Sequence, residues 1–284
     1  MGAKPTLRRI LGLYALYARM DLDFLLRDAG FSLLLIASDL VSTLAAVSGV
    51  FLLTWRFDGV SGLNRWEILF MLGLTTTVSG LFQLFFASNN AGYPSRRIGR
   101  GQLDHMLLQP LPLWLQFCAE GFLPFTGSQN FLAGLGLLYW AMHGLGLHPG
   151  LTWWLSLAGY LLCSLACLAG VSLLWSTLAF RWPIAFEEVS DTVVNDLCGQ
   201  LSQYPLSILP LALQWPLISV IPAGLLAWFP ACALLGLPPL GLPALFPLFL
   251  ALALWALALF AFRKGFGYYV KSGSNRYYSG GFRN

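Results

Sequence analysis

Long apolar runs alternate with short polar interruptions along this chain. Residues 31–55, 66–88, 113–143, 151–180, 206–229 and 245–262 are each apolar nearly throughout. A helix of about 20 apolar residues is what the hydrocarbon core of a bilayer requires. The pattern therefore predicts an all-α polytopic membrane protein with six transmembrane helices. Ahead of them, residues 5–29 place Leu7, Ile10, Leu11, Tyr14, Leu22, Leu25 and Leu26 near the helical period with charges between. That spacing predicts an amphipathic helix lying in the membrane interface. The stretch 89–112, NNAGYPSRRIGRGQLDHMLLQPLP, differs in character from its surroundings: polar, basic and broken by Gly and Pro.

Several runs carry irregularities. The first holds Asp39 beside Ser38, Ser42, Thr43 and Ser48. A carboxylate in hydrocarbon is costly and must find protein, water or a headgroup, and small polar residues suit helix packing. The third run exceeds what a straight crossing needs and contains Glu120, Pro124 and Gly127, so a kink or interfacial lead-in is expected near Pro124. Residues 181–200, with Glu187, Glu188, Asp191 and Asp196, read as a second polar loop. The fifth run carries Pro205, Pro210, Pro216 and Pro222 and cannot be a regular helix throughout. The Pro- and Gly-rich stretch 230–243 is expected to form a short re-entrant or interfacial turn.

Composition agrees. Of 284 residues, 57% are hydrophobic and 10% charged, where soluble domains carry roughly 25% charged residues. The 11 Trp suit interfacial belts. With six crossings, fourteen of the 16 Lys and Arg residues fall on one side, and only Arg56 and Arg65 on the other. The positive-inside rule makes the populous side cytoplasmic, so both termini and residues 89–112 are expected there (N-in, C-in). The net charge of +4 then reads as a topology signal, not as a nucleic-acid surface. Charges interleave with the apolar residues of positions 1–30, so no clean secretory h-region forms. Residues 1–284 read as a single transmembrane domain.

Chemistry narrows the function classes. A phosphate-binding loop needs Gly-x-x-x-x-Gly-Lys-Ser/Thr, and none of Lys4, Lys264 and Lys271 stands in that frame. ATP-driven work is therefore expected from another polypeptide. Glu187-Glu188 resembles the paired glutamates of membrane-embedded prenyl-protein proteases, but His105, His143 and His148 lie in loops or at run ends, where they do not converge as metal ligands. Cys118, Cys163, Cys167, Cys198 and Cys232 show no zinc spacing and read as small buried hydrophobes. A secondary carrier should show a repeat and intramembrane ionisable groups; no repeat is evident, and the candidate carboxylates are Asp39 and Glu120. The readings left open are an ATP-driven permease, a carrier or channel working without an ATPase, and an intramembrane scaffold or enzyme.

Residues 89–112 carry a resemblance. Ile98, Gly101, Leu103, Asp104, Leu107, Leu108 and Pro110 match Ile-x-x-Gly-x-Leu-Asp-x-x-Leu-Leu-x-Pro, a pattern similar to that of ABC-2 type permeases, the membrane subunits of bacterial ABC exporters. Tyr204-Pro205, Pro210, Ile221-Pro222, Pro230 and the tail Tyr278-Ser279-Gly280-Gly281 add to the likeness. The resemblance implies a permease of the bacterial inner membrane that pairs with a second permease subunit, identical or sister. It also implies an ATP-binding cassette ATPase subunit below, which holds ATP and Mg. No cofactor is expected in this chain itself.

On that reading residues 89–112 receive force from the ATPase through Arg96, Arg97, Arg100, Gly101, Leu103 and Asp104. Leu103, Leu107 and Leu108 are expected to pack inward, with the three arginines and Asp104 facing the partner. Gly99 and Gly101 would permit a sharp entry, and Asp104 also suits a helix cap. The path for a hydrophobic or amphipathic cargo would be lined by Thr75, Thr76, Thr77, Phe82, Phe85, Phe86, Gln214 and Trp215 of the second and fifth spans.

Overall fold

A computed structural model describes residues 7–56, 62–87, 94–99, 101–113, 116–117, 121–183, 185–186, 189, 192–237 and 240–272. Arg100, Glu120, Glu187, Glu188, Asp191, Cys118 and the Tyr278–Gly281 tail lie outside them, as does the side chain of Arg96. The described chain is helical and contains no strand. Its helices are α1 (Leu7–Arg27), α2 (Ala29–Arg56), α3 (Arg65–Phe82), α4 (Pro94–Gly99), α5 (Leu103–Leu108) and α6 (Gln129–Gly144). They continue with α7 (Leu151–Ser176), α8 (Leu211–Ser219), α9 (Ala223–Leu226), α10 (Trp228–Leu235) and α11 (Phe246–Ser272). Four segments are long and apolar enough to cross a membrane: Ala29–Gly49, Arg65–Phe86, Leu151–Phe180 and Phe246–Ser272.

Helix α3 is the axis of the fold. Its residues are apolar on every face, which suits a helix enclosed by others, and Ile68–Val78 are buried without a break. The helix starts at a capping box. Asn64 Oδ1 accepts from the backbone N–H of Trp66 (2.9 Å) and Glu67 (3.0 Å), and Glu67 Oε2 accepts from the Asn64 N–H (2.8 Å). Close packing of α3 on α6 runs through small residues: a Cβ added at Gly80 would lie 2.1 Å from Phe131 N, and one at Gly134 would lie 2.4 Å from Thr77 N. Backbones meet this closely in membranes because dispersion, not water exclusion, drives helix association there. A second pair, α7 and α11, is joined by the Trp255 indole N–H donating to Ala166 O (2.9 Å). The Trp153 indole donates to Leu234 O (3.1 Å) and Ser164 Oγ to Leu225 O (2.8 Å), tying α10 and α9 to α7.

The interruptions expected near Pro124 and in the fifth run are present, and the structure departs from expectation in three other places. Only residues 129–144 of the expected third span form one continuous helix; 121–128, around Pro124, are non-helical. The expected fifth span is a short 3-10 turn followed by α8 and α9, broken ahead of Pro222, because residue 221 precedes a ring that clashes with helical geometry. The expected loop 181–200 is helical over Thr192–Gln200, where Val193, Val194 and Cys198 are buried. The first part of the expected turn at 230–243, Pro230–Leu235, belongs instead to α10, since Pro230 falls in its first turn, where a missing N–H has no intrahelical acceptor to leave unpaired. Helix α11 also continues ten residues past the expected boundary at 262, to Ser272.

Candidate functional site

The match-bearing segment folds as two short helices joined by a tight turn. Helix α4 opens on Pro94, whose fixed φ suits a first helical position. It ends in a Schellman motif: the Gly101 N–H donates to Ile98 O (3.1 Å) and the Gln102 N–H to Arg97 O (2.9 Å). Gly101 has φ +68°, a left-handed conformation that a side chain disfavours. Helix α5 follows, and Gln116 Nε2 closes the segment by donating to Met106 O and Leu111 O, both at 2.9 Å.

This segment is docked on the ends of α7 and α11. Ile98 and Leu103 are buried in a small core with Ala179, Phe180 and Tyr269, flanked by Leu113, Phe117, Phe186, Phe262 and Phe266. The Tyr269 hydroxyl donates to Asp104 Oδ1 at 2.5 Å, across 165 positions of sequence. The Tyr269 ring meets Phe180 edge-on at 5.9 Å, and Phe180 meets Phe262 at 5.3 Å. Edge-to-face pairs of this kind add about 0.5–1.5 kcal/mol each beyond their burial.

Three expected orientations are corrected. Arg97 is 3% exposed; it faces inward, with Nη1 3.7 Å from Met106 Sδ and its guanidinium over Phe117 at 5.9 Å, because a planar cation is at home on a sulfur and a ring. Asp104 does not cap α5, whose N-cap is Gln102 without a side-chain bond; its carboxylate reaches Tyr269 instead. Leu107 and Leu108 point outward, 44% and 84% exposed, while Leu103 packs inward as expected. With Gln109 and Pro110 they form an exposed, largely apolar tip.

The expected path residues divide in the same way. Thr75, Thr76, Thr77, Phe82 and Gln214 are buried inside the subunit. Thr75 Oγ1 donates to Ser202 O (2.9 Å), Thr76 to Leu72 O (2.8 Å), Thr77 to Gly73 O (2.7 Å) and Gln214 Nε2 to Leu209 O (2.6 Å). These polar groups bond backbone carbonyls within the subunit and have little accessible surface. Phe85, Phe86 and Trp215 retain such surface.

The non-helical segment 121–128 is a further junction. Asp21 of α1 is 2% exposed. Its Oδ2 accepts from the Phe125 N–H (2.7 Å) and Thr126 N–H (3.2 Å), and its Oδ1 from the Thr126 hydroxyl (2.6 Å). The Leu123 N–H donates to Leu84 O (3.1 Å) in the π-helical end of α3, Gln83–Ala87. Phe122 meets Tyr14 at 5.1 Å and Phe85 at 5.6 Å. Sequence reading missed Asp21 because an acid in an amphipathic leader looks like one more solvated charge. It missed Tyr269 as a partner of Asp104 because nothing local links positions so far apart.

A family model described as "ABC-2 family transporter protein" matches residues 40–273. No curated protein and no solved structure matches the chain significantly.

Proposed function

The chain belongs to the ABC-2 transporter family, and on that premise we propose that it is the permease subunit of an ATP-driven exporter of hydrophobic or amphipathic molecules. Members of this family generally work with an ATPase subunit. The chain supplies the membrane path; the partner ATPase holds ATP and Mg and does the hydrolysis. A second permease subunit, identical or sister, completes the path. The protein resides in the bacterial inner membrane with both termini cytoplasmic and α1 in the interface. It crosses six times, the third and fifth crossings being made by the interrupted segments 113–144 and 206–235.

The observation that carries this reading is the docked pair α4–α5 with its exposed tip. An element that passes on a rigid-body push must be ordered itself, fixed to what it moves and open to what pushes it. Gly101 and Gln116 order the segment. The Asp104–Tyr269 bond and the aromatic core fix it to α7 and α11. Leu107–Pro110 stand open to a groove on the ATPase.

The test is purification and reconstitution. The chain is expected to co-purify with a phosphate-binding-loop ATPase, and a cysteine at Leu108 to cross-link to that subunit. Vesicles containing both should transport only with ATP. Transport by the purified chain alone, driven by an ion gradient, would sink the proposal, as would labelling of Leu108→Cys from the outside of intact cells.

A further inference from the structure

One polar cluster in the apolar part of the protein is used by nothing described so far. Asp39 sits about ten residues into α2, roughly 15 Å along it at 1.5 Å per residue, and is exposed on the subunit surface. Its Oδ2 accepts from Gln129 Nε2 at 2.9 Å, the only hydrogen bond to Asp39 among the described residues. Behind it a chain of bonds runs inward: Thr43 Oγ1 donates to Asn130 Oδ1 (2.5 Å), and Asn130 Nδ2 to Gln83 Oε1 (2.7 Å). Gln83 opens the π-helical turn that carries Phe85 and Phe86.

Donors and acceptors in this cluster do not balance. Gln129 has spent its amide N–H on Asp39, and its Oε1 is buried without a donor among the described residues. Asp39 itself is exposed, and no described residue donates to its second oxygen. The cluster thus presents a negative charge and a carboxylate oxygen without a donor among the described residues, where hydrocarbon supplies none. A second copy of this chain would not neutralise it either, since none of the 16 Lys and Arg residues falls within the six apolar runs.

We propose that Asp39 and Gln129 form a subsite for the ammonium group of an amphipathic cation, whose apolar part lies along Phe85 and Phe86. A primary ammonium brings three N–H donors and the opposite charge, which is what the site lacks. Aromatic faces suit an adjoining alkyl or cationic segment. This rests on the exporter reading for its meaning, as it names the class of cargo, but its test does not need the ATPase.

The full chain in phosphatidylcholine nanodiscs is titrated with 11-(dansylamino)undecylammonium, and transfer from tryptophan to dansyl reports binding. The matched carboxylate and alcohol probes serve as controls, and empty nanodiscs give the background. Saturable binding of the ammonium probe is expected, weakened at least tenfold in Asp39→Asn, less in Asp39→Glu and severalfold in Gln129→Leu, with the alcohol unchanged. Repeating the titration in phosphatidylethanolamine separates the sources. Persistent binding assigns the site to a free amphipath, and displacement assigns it to an ammonium lipid. Absence of saturable ammonium binding, or equal affinity in wild type and Asp39→Asn, would overturn the subsite. A chain that binds the cation yet has no ATPase companion would sink the exporter reading alone.

Discussion

Substitution at Gly101 isolates one backbone conformation and asks whether the order of the α4–α5 segment matters. At φ +68° an L side chain brings its Cβ against the neighbouring carbonyl, costing about 1–2 kcal/mol. A shift of that size changes the ratio of docked to undocked segment by a factor of about 5–30. The series Gly101→Asn, Gly101→Ala, Gly101→Val orders the strain. Asn visits this region readily, Ala less so, and a β-branched residue scarcely at all. Hydrogen exchange at the Gln102 amide, which donates to Arg97 O at 2.9 Å, should accelerate in that order. In vesicles containing the ATPase, cargo moved per ATP should fall in the same order while membrane insertion stays normal. Unchanged exchange and unchanged coupling in Gly101→Val would refute the reasoning. Equal damage from Asn and Val would show that space, not backbone conformation, sets the requirement.

Three further outcomes follow from the packing. Asp104→Asn and Tyr269→Phe should each loosen the segment, and a double-mutant cycle on thermal stability should return about 1 kcal/mol of coupling. That lies below the roughly 1.5–3 kcal/mol of a bond to a buried charge because Asp104 keeps partial water access; strict additivity would dismiss the bond. Gly80→Ala should lower the aggregation temperature sharply, since its Cβ would sit 2.1 Å from Phe131 N, whereas Gly136→Ala, with open space around it, should be silent; overpacking of this kind costs about 1–3 kcal/mol or more. Burial pushes the Cys198 thiol up to about 12, so it stays neutral until the pH nears that value. A variant retaining only Cys198 should resist aqueous maleimide at pH 8, while Asp196→Cys labels; rapid labelling at 198 would restore the loop reading of 181–200.

What the sequence made legible was set by the range of the interaction. Apolar length is a local property, so the helices at 29–56, 65–82 and 151–176, and 246–272 as far as 262, were readable from composition alone. The turn in the match-bearing motif was readable because glycines at 99 and 101 permit a sharp entry. The direction in which its side chains point was not. Arg97 looked like a surface charge until Met106 and Phe117 folded over it, and Leu108 looked like core until the core proved to be made of residues near 180 and 269. Proline was a sound guide at 124 and 222 and misled at 230. Its meaning depends on whether it lands in a helix's first turn, as Pro230 and Pro247 do, or just beyond a helix end, as Pro222 does. The path threonines show a related limit: a hydroxyl that satisfies a carbonyl four residues back is indistinguishable in sequence from one that greets a cargo.

On the proposed function, a push on the α4–α5 segment needs stiff contacts to what it moves. The α4–α5 segment, the end of α7 and the last turns of α11 share one aromatic core, and a Cβ at Gly265 would lie 2.4 Å from Phe180 Cδ2, so little slack exists between them. A push on Leu107–Pro110 would therefore carry α7 and α11 together. Regular helical bonding lapses at 121–128 and again at 220–222. The first of these is not loose: Asp21 takes two of its backbone N–H groups and one hydroxyl. Such a carboxylate makes the joint a clamp with α1 as its handle. On the proposed function, motion of the leader helix and bending at the third crossing are then one event, because neither can occur without moving or breaking the Asp21 bonds.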